Sequence, residues 1–153
     1  FGPAQTLNRG QFATILYRMA GSPEVQYEQR FNDVKDGEFY SDAVIWANNI
    51  KVITGYGNGY FGPSDNITRE QMATMMYRYA KYQGKDVSVK GDLNQFPDGN
   101  KVSGFAKEGL EWCVGTGLIR ENEQDSTISP QDEVVRAVCA TIILRYVQEV
   151  GLE

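Results

Sequence analysis

Apolar residues recur along this chain at the spacing of one helix face. After Ser41 and again after Ser103, apolar positions lie at i, i+3, i+4 and i+7, and serine is a good residue for the N-cap of a helix. We therefore predict two helices of one type. The helix beginning near Ser41 is expected to bury Ala43, Trp46, Ala47 and Ile50, and the helix beginning near Ser103 is expected to bury Ala106, Leu110 and Cys113.

A second type of helix is predicted three times. Asn8 with Gln11, and Thr68 with Gln71, have the spacing of a capping box, in which the first side chain binds an unpaired amide of the first turn. The three copies place apolar residues in one register. The predicted core residues are Phe12, Ala13, Leu16 and Ala20; Met72, Ala73, Met76 and Ala80; and Cys139, Ala140, Ile143 and Val147.

The whole pattern is an internal repeat. Residues 61–80 agree with residues 1–20 at ten of twenty positions and with residues 128–147 at seven, counted without gaps, so the period is 60 to 67 residues. A unit of this size can depend on its neighbours to bury its apolar face. We predict one all-α domain over 1–153, composed of the second half of a first unit (1–23), a second unit (31–84) and a third, degenerate unit (96–151), with polar connectors between them.

The first unit lacks its front half in this sequence. The helix beginning near Asn8 has no preceding helix of the Ser41 type, and an uncovered apolar stripe favours association. We expect a longer parent protein to supply that helix. The fragment is expected either to close a smaller bundle with its own later helices or to self-associate.

A glycine-rich turn, ITGYGNGYFGP, separates the two helices of the second unit. At least one of Gly55, Gly57 and Gly59 is expected to have a positive φ, since glycine adopts that conformation without steric cost. The third unit has IRENEQDSTISP instead, without glycine. We expect that loop to have lost the original geometry.

Composition excludes several functions. The net charge of −5 and the pI near 4.8 argue against general binding to nucleic acids or acidic membranes. No apolar run approaches the length of a membrane span. The chain has no histidine, which removes the commonest general base and metal ligand. We expect no catalytic residue, metal or cofactor. Cys113 and Cys139 lie at apolar helix positions, which favours buried free thiols over a disulfide.

Three arginines follow the cap positions of the repeated helix: Arg9, Arg69 and Arg136. A cation in the first turn opposes the helix dipole, so something should compensate it. One interpretation is a structural ion pair with Asp33, Asp98 or Asp42. The other is an external carboxylate or phosphate, bound by the guanidinium group together with free amides.

Aromatic residues surround the glycine turn and the start of the helix at Ser41. They could stack on sugar rings or pack beneath the turn, whereas Trp46 and Trp112 are expected in the core. The residues at the turn are Phe39, Tyr40, Tyr56, Tyr60 and Phe61.

The order FNDV from Phe31, VITGYGNGYFGP from Val52 and ITREQ from Ile67 resembles the S-layer homology family. The resemblance implies a pseudo-threefold helical bundle with grooves between repeats. It also implies a secreted, noncatalytic module that anchors bacterial proteins to the cell wall by binding secondary cell wall polysaccharide, often pyruvylated. The runner-up interpretation is a protein assembly module of the same fold whose glycan grooves have decayed.

The family resemblance assigns ligand contact to the arginine of its ITRAE element, which corresponds to Arg69 first and Arg9 next. Arg136 is a weaker match because valine replaces the cap residue at Val135. The candidate ligand-binding residues are Arg69, Arg9, Arg136, Thr68, Tyr56, Tyr60, Gly55, Gly57, Asp33 and Phe39.

Overall fold

The computed structural model describes residues 4–151, so Phe1 and Pro3 of the first repeat lie outside it. These residues form five α-helices. The only β pairing among residues 4–151 consists of three isolated bridges. The all-α prediction is confirmed, and the pseudo-threefold arrangement stays a prediction. The helices are α1 (Arg9–Met19), α2 (Ser41–Asn49), α3 (Arg69–Tyr82), α4 (Lys107–Gly115) and α5 (Arg136–Glu149), with 3₁₀ turns at Leu93–Gln95, Gly99–Lys101 and Gly104–Ala106.

Residues 7–67 form one compact unit in which α1 packs against α2. The ring of Tyr17 lies 5.5 Å from that of Trp46, and Trp46 is buried as predicted. This packing joins the second helix of one repeat to the first helix of the next. The core of the unit includes Phe12, Leu16, Val34, Val44, Ile45, Ala47 and Phe61.

Residues 4–6 and 68–151 form the other unit, in which α3 packs against α4 in the same way. A Cβ atom on Gly109 would lie 2.9 Å from Thr74 Cα, so the two helices approach closely at this glycine. Tyr77 contacts Trp112 with ring centroids 6.0 Å apart, which repeats the Tyr17 contact of α1. None of the helices in residues 4–151 has the length and apolar character needed to span a membrane.

The two capping boxes are confirmed, but Ser41 is not an N-cap. Asn8 and Thr68 each accept a hydrogen bond from the amide of the glutamine three residues later, at 2.7 and 3.3 Å. Ser41 is instead the first residue of α2. Its hydroxyl donates to the carbonyl of Lys35 and accepts from the amide of Glu38, so it closes the preceding turn.

The counterpart at Ser103 also differs from the prediction. A 3₁₀ turn follows it, and α4 begins only at Lys107. The amide and hydroxyl of Ser103 both donate to the Glu70 carboxylate, at 2.9 and 2.7 Å. Its polar groups therefore connect α4 to α3 rather than cap a helix.

The core of α5 differs from the predicted register. Cys139 is buried, but Ala140 and Val147 are exposed, and Ile143 is only half-buried. The helix buries Ile142 and Tyr146 instead, and Tyr146 stacks on Tyr79 with ring centroids 5.9 Å apart. On α3, α4 contacts Ala73, Thr74 and Tyr77, whose equivalents on α5 are Ala140, Thr141 and Leu144. Within residues 4–151, no helix pairs with α5 as α4 pairs with α3.

Short bridges fix the start of each repeated helix. The amide of Arg69 donates to Asp132 O and that of Arg136 donates to Gln5 O, both at 2.9 Å. Thr68 pairs with Glu133, and Thr6 pairs with Val135. Residues 5–6 thus contact the start of α5 as residues 132–133 contact the start of α3.

Cys113 and Cys139 are free and buried, which confirms the expectation. Burial raises the pKa of the Cys139 thiol to about 11, partly opposed by the charge of Arg136, and burial also raises the pKa of Cys113. The thiolate is the reactive form of cysteine. We expect both thiols to react with iodoacetamide at pH 8 at least about a hundredfold more slowly than free cysteine, and at the ordinary rate in 6 M guanidinium chloride. Rapid labelling of the folded chain, measured by mass spectrometry, would contradict this.

Candidate functional site

The start of α1 is tied to the loop before residue 66 by main-chain hydrogen bonds. The amides of Arg9 and Gly10 donate to Asp65 O and Pro63 O, each at 2.9 Å. The Nε of Arg9 donates to Phe61 O, also at 2.9 Å. The helix start therefore satisfies three carbonyls of the loop, and the guanidinium group is positioned by one of them.

Asp33 stabilises the same loop from its other side. Its carboxylate accepts hydrogen bonds from the amides of Phe61 and Gly62, at 2.9 and 2.8 Å. No carboxylate within residues 4–151 lies within ion-pair distance of Arg9. The structural interpretation of Arg9 as an ion-pair partner of Asp33 or Asp42 is therefore wrong, and carbonyl oxygens take that role.

Two aromatic rings flank the Arg9 guanidinium group. The ring centroids of Tyr56 and Phe61 lie 4.6 and 4.5 Å from its central carbon, within the range of a cation–π interaction. Arg9 is only 5% exposed, and burial lowers its pKa, while the charges of Tyr56, Asp65 and Asp33 raise it. Arginine remains protonated under these conditions. A positive charge thus lies just beneath the surface of this unit.

An open cleft of about 330 Å³ lies next to this arginine. Tyr56 and Tyr60 are each 46% exposed, which favours the groove interpretation of these side chains over packing beneath the turn. The Tyr56 hydroxyl donates to Asp65 Oδ2 at 2.7 Å. Burial, followed by this hydrogen bond, raises the pKa of Tyr56 to about 12. The cleft is lined by Asp33, Tyr40, Tyr56, Tyr60, Gly62, Pro63, Ser64 and Asp65.

The start of α3 repeats this construction with different side chains. The amides of Arg69 and Glu70 donate to Asp132 O and Pro130 O, each at 2.9 Å, and Arg69 Nε donates to Ile128 O at 2.8 Å. Burial lowers the pKa of Arg69, and the charges of Asp132 and Asp98 raise it. The helix start and its arginine therefore have the same main-chain environment in both units.

The end of the third loop, residues 126–129, retains the geometry of the second unit, contrary to the expectation from its missing glycines. The Asp98 carboxylate accepts from the amides of Ile128 and Ser129, both at 2.9 Å, as Asp33 does in the other unit. Ser126 and Ser129 have φ of 61° and 51°. They stand where the second unit has Gly59 and Gly62, whose φ values are 89° and 75°. Serine pays a steric cost in this conformation, which the carboxylate and the loop hydrogen bonds compensate.

The glycine prediction is confirmed, since Gly55, Gly57 and Gly59 all have positive φ. At Gly55 the space is also restricted, because a Cβ atom would lie 2.6 Å from the Phe31 ring. Gly57 has no atom within 4 Å of such a Cβ, so its conformation alone requires glycine. Distortion of the groove wall by valine at these positions stays a prediction.

Three further candidates, Thr68, Phe39 and Arg136, do not line the cleft beside Arg9. Thr68 caps α3 through Gln71, which is a structural role. Phe39 is 64% exposed and lines a separate cleft beside Asp42 and Arg18. Arg136 follows Val135, which makes no side-chain cap, as expected. Ligand contact by Arg136 or Phe39 stays a prediction.

Glu70 is an important residue that the repeat pattern did not reveal. It is 4% exposed, and its carboxylate accepts from Ser103 and from Gln131 Nε2 at 3.3 Å. The equivalent positions in the other copies are Gly10 and Ala137, so comparing the repeats gives no signal for a buried acid. Its hydrogen bonds join α3 to the start of the α4 segment.

Comparison with known proteins shows which domain and which proteins this chain is similar to. Residues 30–73 match the S-layer homology domain. An endoglucanase of Bacillus sp. (strain KSM-635) is 29% identical over 143 residues, 94% of this chain and 15% of that protein. The surface-layer 125 kDa protein of Lysinibacillus sphaericus is 28% identical over 98% of this chain and 12% of its own length. A cellulosome-anchoring protein of Acetivibrio thermocellus is 27% identical over 95% of this chain and 33% of its own length.

The chain thus spans a small part of each of these relatives, and their names differ while the aligned region is the same. The matched segment includes Asp33, the glycine turn, Arg69 and the first turn of α3, which contribute one side of each loop-and-helix joint described above. Residues 30–73 are thus similar to the S-layer homology domain, within an all-α fold.

Proposed function

We propose that this chain is a noncatalytic module that anchors an exported protein to the bacterial cell wall by binding secondary cell wall polysaccharide, preferably pyruvylated. One observation carries the proposal. Arg9 and Arg69 are both positioned by carbonyl oxygens, and neither guanidinium group forms an ion pair with a carboxylate of residues 4–151. A fixed guanidinium with unused N–H groups is a suitable partner for the carboxylate of a pyruvate ketal.

The relatives support anchoring as the shared role. A cellulosome-anchoring protein, a surface-layer protein and an endoglucanase have this region in common, and the endoglucanase aligns over only 15% of its length. A segment shared by proteins of such different names is more consistent with attachment than with a common reaction. We infer that the parent of this chain is secreted and associated with the cell wall.

Exposed tyrosines complete the proposed site in residues 7–67. Tyr56 and Tyr60 line the cleft and are partly exposed, and Asp33 and Asp65 also line it. Ring faces stack on sugars, and carboxylate oxygens accept hydrogen bonds from sugar hydroxyls. Two weak sites on one polymer gain from effective concentration, so each can be modest in affinity.

Replacing Arg69 tests the proposal. We expect Arg69→Ala to weaken cosedimentation with purified cell walls about tenfold, because it removes a charge-assisted hydrogen-bond donor. Arg69→Lys should also weaken binding, since an ammonium group cannot form the bidentate contact. The exposed Arg18→Ala is the matched control and should bind like the parent.

Circular dichroism must show that each variant is folded, and walls stripped of secondary polysaccharide must lose the parent chain. If both Arg69 variants bind as the parent does, Arg69 is structural only. If the parent binds stripped walls equally well, the alternative of a protein assembly module with decayed glycan grooves is favoured. The observation that supports this second function is that Val135, at the N-cap of α5, makes no side-chain capping hydrogen bond.

A further inference from the structure

A second cleft, of about 280 Å³, lies within residues 68–151 between the loop after α4 and one side of α5. Three arginines line it: Arg69, Arg120 and Arg145. Glu121 also lines it, together with Thr141 and the buried Ile142. The wall thus combines three guanidinium groups, one exposed carboxylate and a small apolar surface.

Carbonyl oxygens position all three guanidinium groups. Arg69 Nη2 donates to Arg120 O at 3.0 Å, in addition to the bond from its Nε. Arg120 Nε donates to Gly117 O and Arg145 Nη1 donates to Leu118 O, each at 3.2 Å. A guanidinium group has five N–H donors, so most donors of Arg120 and Arg145 are left for another acceptor.

None of these three arginines forms an ion pair with a carboxylate of residues 4–151, and this includes Glu121. Burial, followed by the charge of Arg120, lowers the pKa of Arg145. Burial has the largest effect on Arg69 and lowers its pKa; the charges of Asp132 and Asp98 raise that pKa, and the charge of Arg145 lowers it. The three cations therefore repel one another, and an anion bound among them would relieve that repulsion.

The cleft in residues 7–67 has different chemistry. Arg9 lies between two aromatic rings, and the cleft beside it is lined by tyrosines and by Asp33 and Asp65. Arg120 stands where the second unit has Thr54, because each follows the isoleucine that ends the preceding segment, Ile119 or Ile53. Of the three arginines, only Arg120 is thus specific to the third repeat, since Arg69 and Arg145 have equivalents in the other copies.

We propose that Arg120 and Arg145, together with Arg69, form an oxyanion subsite that takes a doubly charged group in preference to a single carboxylate. The ligand class is an acidic glycan bearing phosphate or carboxylate substituents, and this assignment rests on the proposed function. Three fixed guanidinium groups match the several oxygens of a phosphate better than the two of a carboxylate. The cleft beside Arg9 keeps the single carboxylate of the pyruvate ketal as its proposed ligand.

Titration of the whole chain with inorganic phosphate and with acetate, at constant ionic strength set by chloride, tests the subsite. The readout is the ¹H–¹⁵N spectrum, including the arginine Nε–Hε signals. We expect saturable shifts at Arg120 and Arg145, with phosphate binding about tenfold more tightly than acetate. Arg120→Gln and Arg145→Gln should each weaken phosphate binding about fivefold, and Glu121→Gln should tighten it about twofold.

Arg18→Gln is the matched control, because Arg18 occupies the position of Arg145 in the first repeat and should leave phosphate binding unchanged. Arg145→Lys keeps the charge and should retain part of the affinity, which covers the case in which Arg145→Gln loses its fold. Shifts that do not saturate, equal binding of acetate and phosphate, or Arg120→Gln binding phosphate like the parent would each overturn the subsite.

The wall-binding assay separates this inference from the proposed function. If Arg69→Ala loses wall binding while Arg120→Gln and Arg145→Gln retain it, the anchoring function stands and the subsite is wrong. If no form of the chain binds walls but phosphate still saturates at Arg120, the subsite stands and the anchoring function is wrong.

Discussion

Asp33→Ala will lower the free energy of unfolding by about 2–3 kcal/mol, because it leaves two loop amides without their charged acceptor. Those amides belong to Phe61 and Gly62, and Phe61 is fully buried with its carbonyl bound to Arg9. The same loop forms the wall of the tyrosine cleft. Urea unfolding followed by circular dichroism measures the loss, and wall binding should fall with it.

The controls for this prediction come from the same chain. Asp36→Ala removes a carboxylate three residues away that is exposed and should change stability by less than about 0.5 kcal/mol. Asp98→Ala should reproduce the effect of Asp33→Ala, since its carboxylate binds the amides of Ile128 and Ser129 at the same distances. A loss below 1 kcal/mol for both variants would show that the two carboxylates do not hold the loops.

Local features were predictable because their causes are local. The capping boxes at Asn8 and Thr68 follow from side chains three residues apart, and the positive φ of Gly55 follows from the turn itself. The apolar registers of α1 and α3 also agree with the sequence pattern, apart from a half-buried Ala20. Repetition strengthened each of these predictions, since two copies had to agree.

The predictions that failed concern positions where the structure depends on a residue distant in the sequence or on a competing hydrogen-bond partner. Ser41 has the right type for a cap, but its hydroxyl is used by Lys35 and Glu38. The loop before α5 kept its geometry because Asp98, some 30 residues away in the chain, holds it while serines adopt the conformation of the glycines. The cleft of Arg69, Arg120 and Arg145 depends on tertiary packing, and no spacing in the sequence indicates it.

The exposed face of α5 leads to the second large prediction. In α1 and α3 this face is covered: Thr14 and Thr74 are buried, and Tyr17 and Tyr77 contact Trp46 and Trp112. The equivalent residues of α5 are Thr141, which is exposed, and Leu144, which is 56% exposed. Residues 5–6 already contact the start of α5 in the way that residues 132–133 contact α3. A helix of the α2 type placed before residue 1 should therefore cover this face.

We expect a chain extended at its amino end by a second copy of residues 31–60 to melt on the order of 10 °C higher than the original, because burying Leu144 and its neighbours contributes several kcal/mol. The extension should also reduce any self-association at high concentration, measured by sedimentation equilibrium. Replacement of the added copy by a polar linker of equal length is the control and should leave the melting temperature unchanged.

The substitution Leu144→Asp tests whether the added helix covers the exposed face of α5. In the original chain the side chain is exposed, so the substitution should change stability by less than about 0.5 kcal/mol. In the extended chain it places a carboxylate under the new helix and should remove about 2 kcal/mol or more of the gain, since an unpaired charge is costly to bury. If Leu144→Asp is equally mild in both chains, or the extension brings no stability, then α5 does not need a covering helix and the repeat pattern ends at this face.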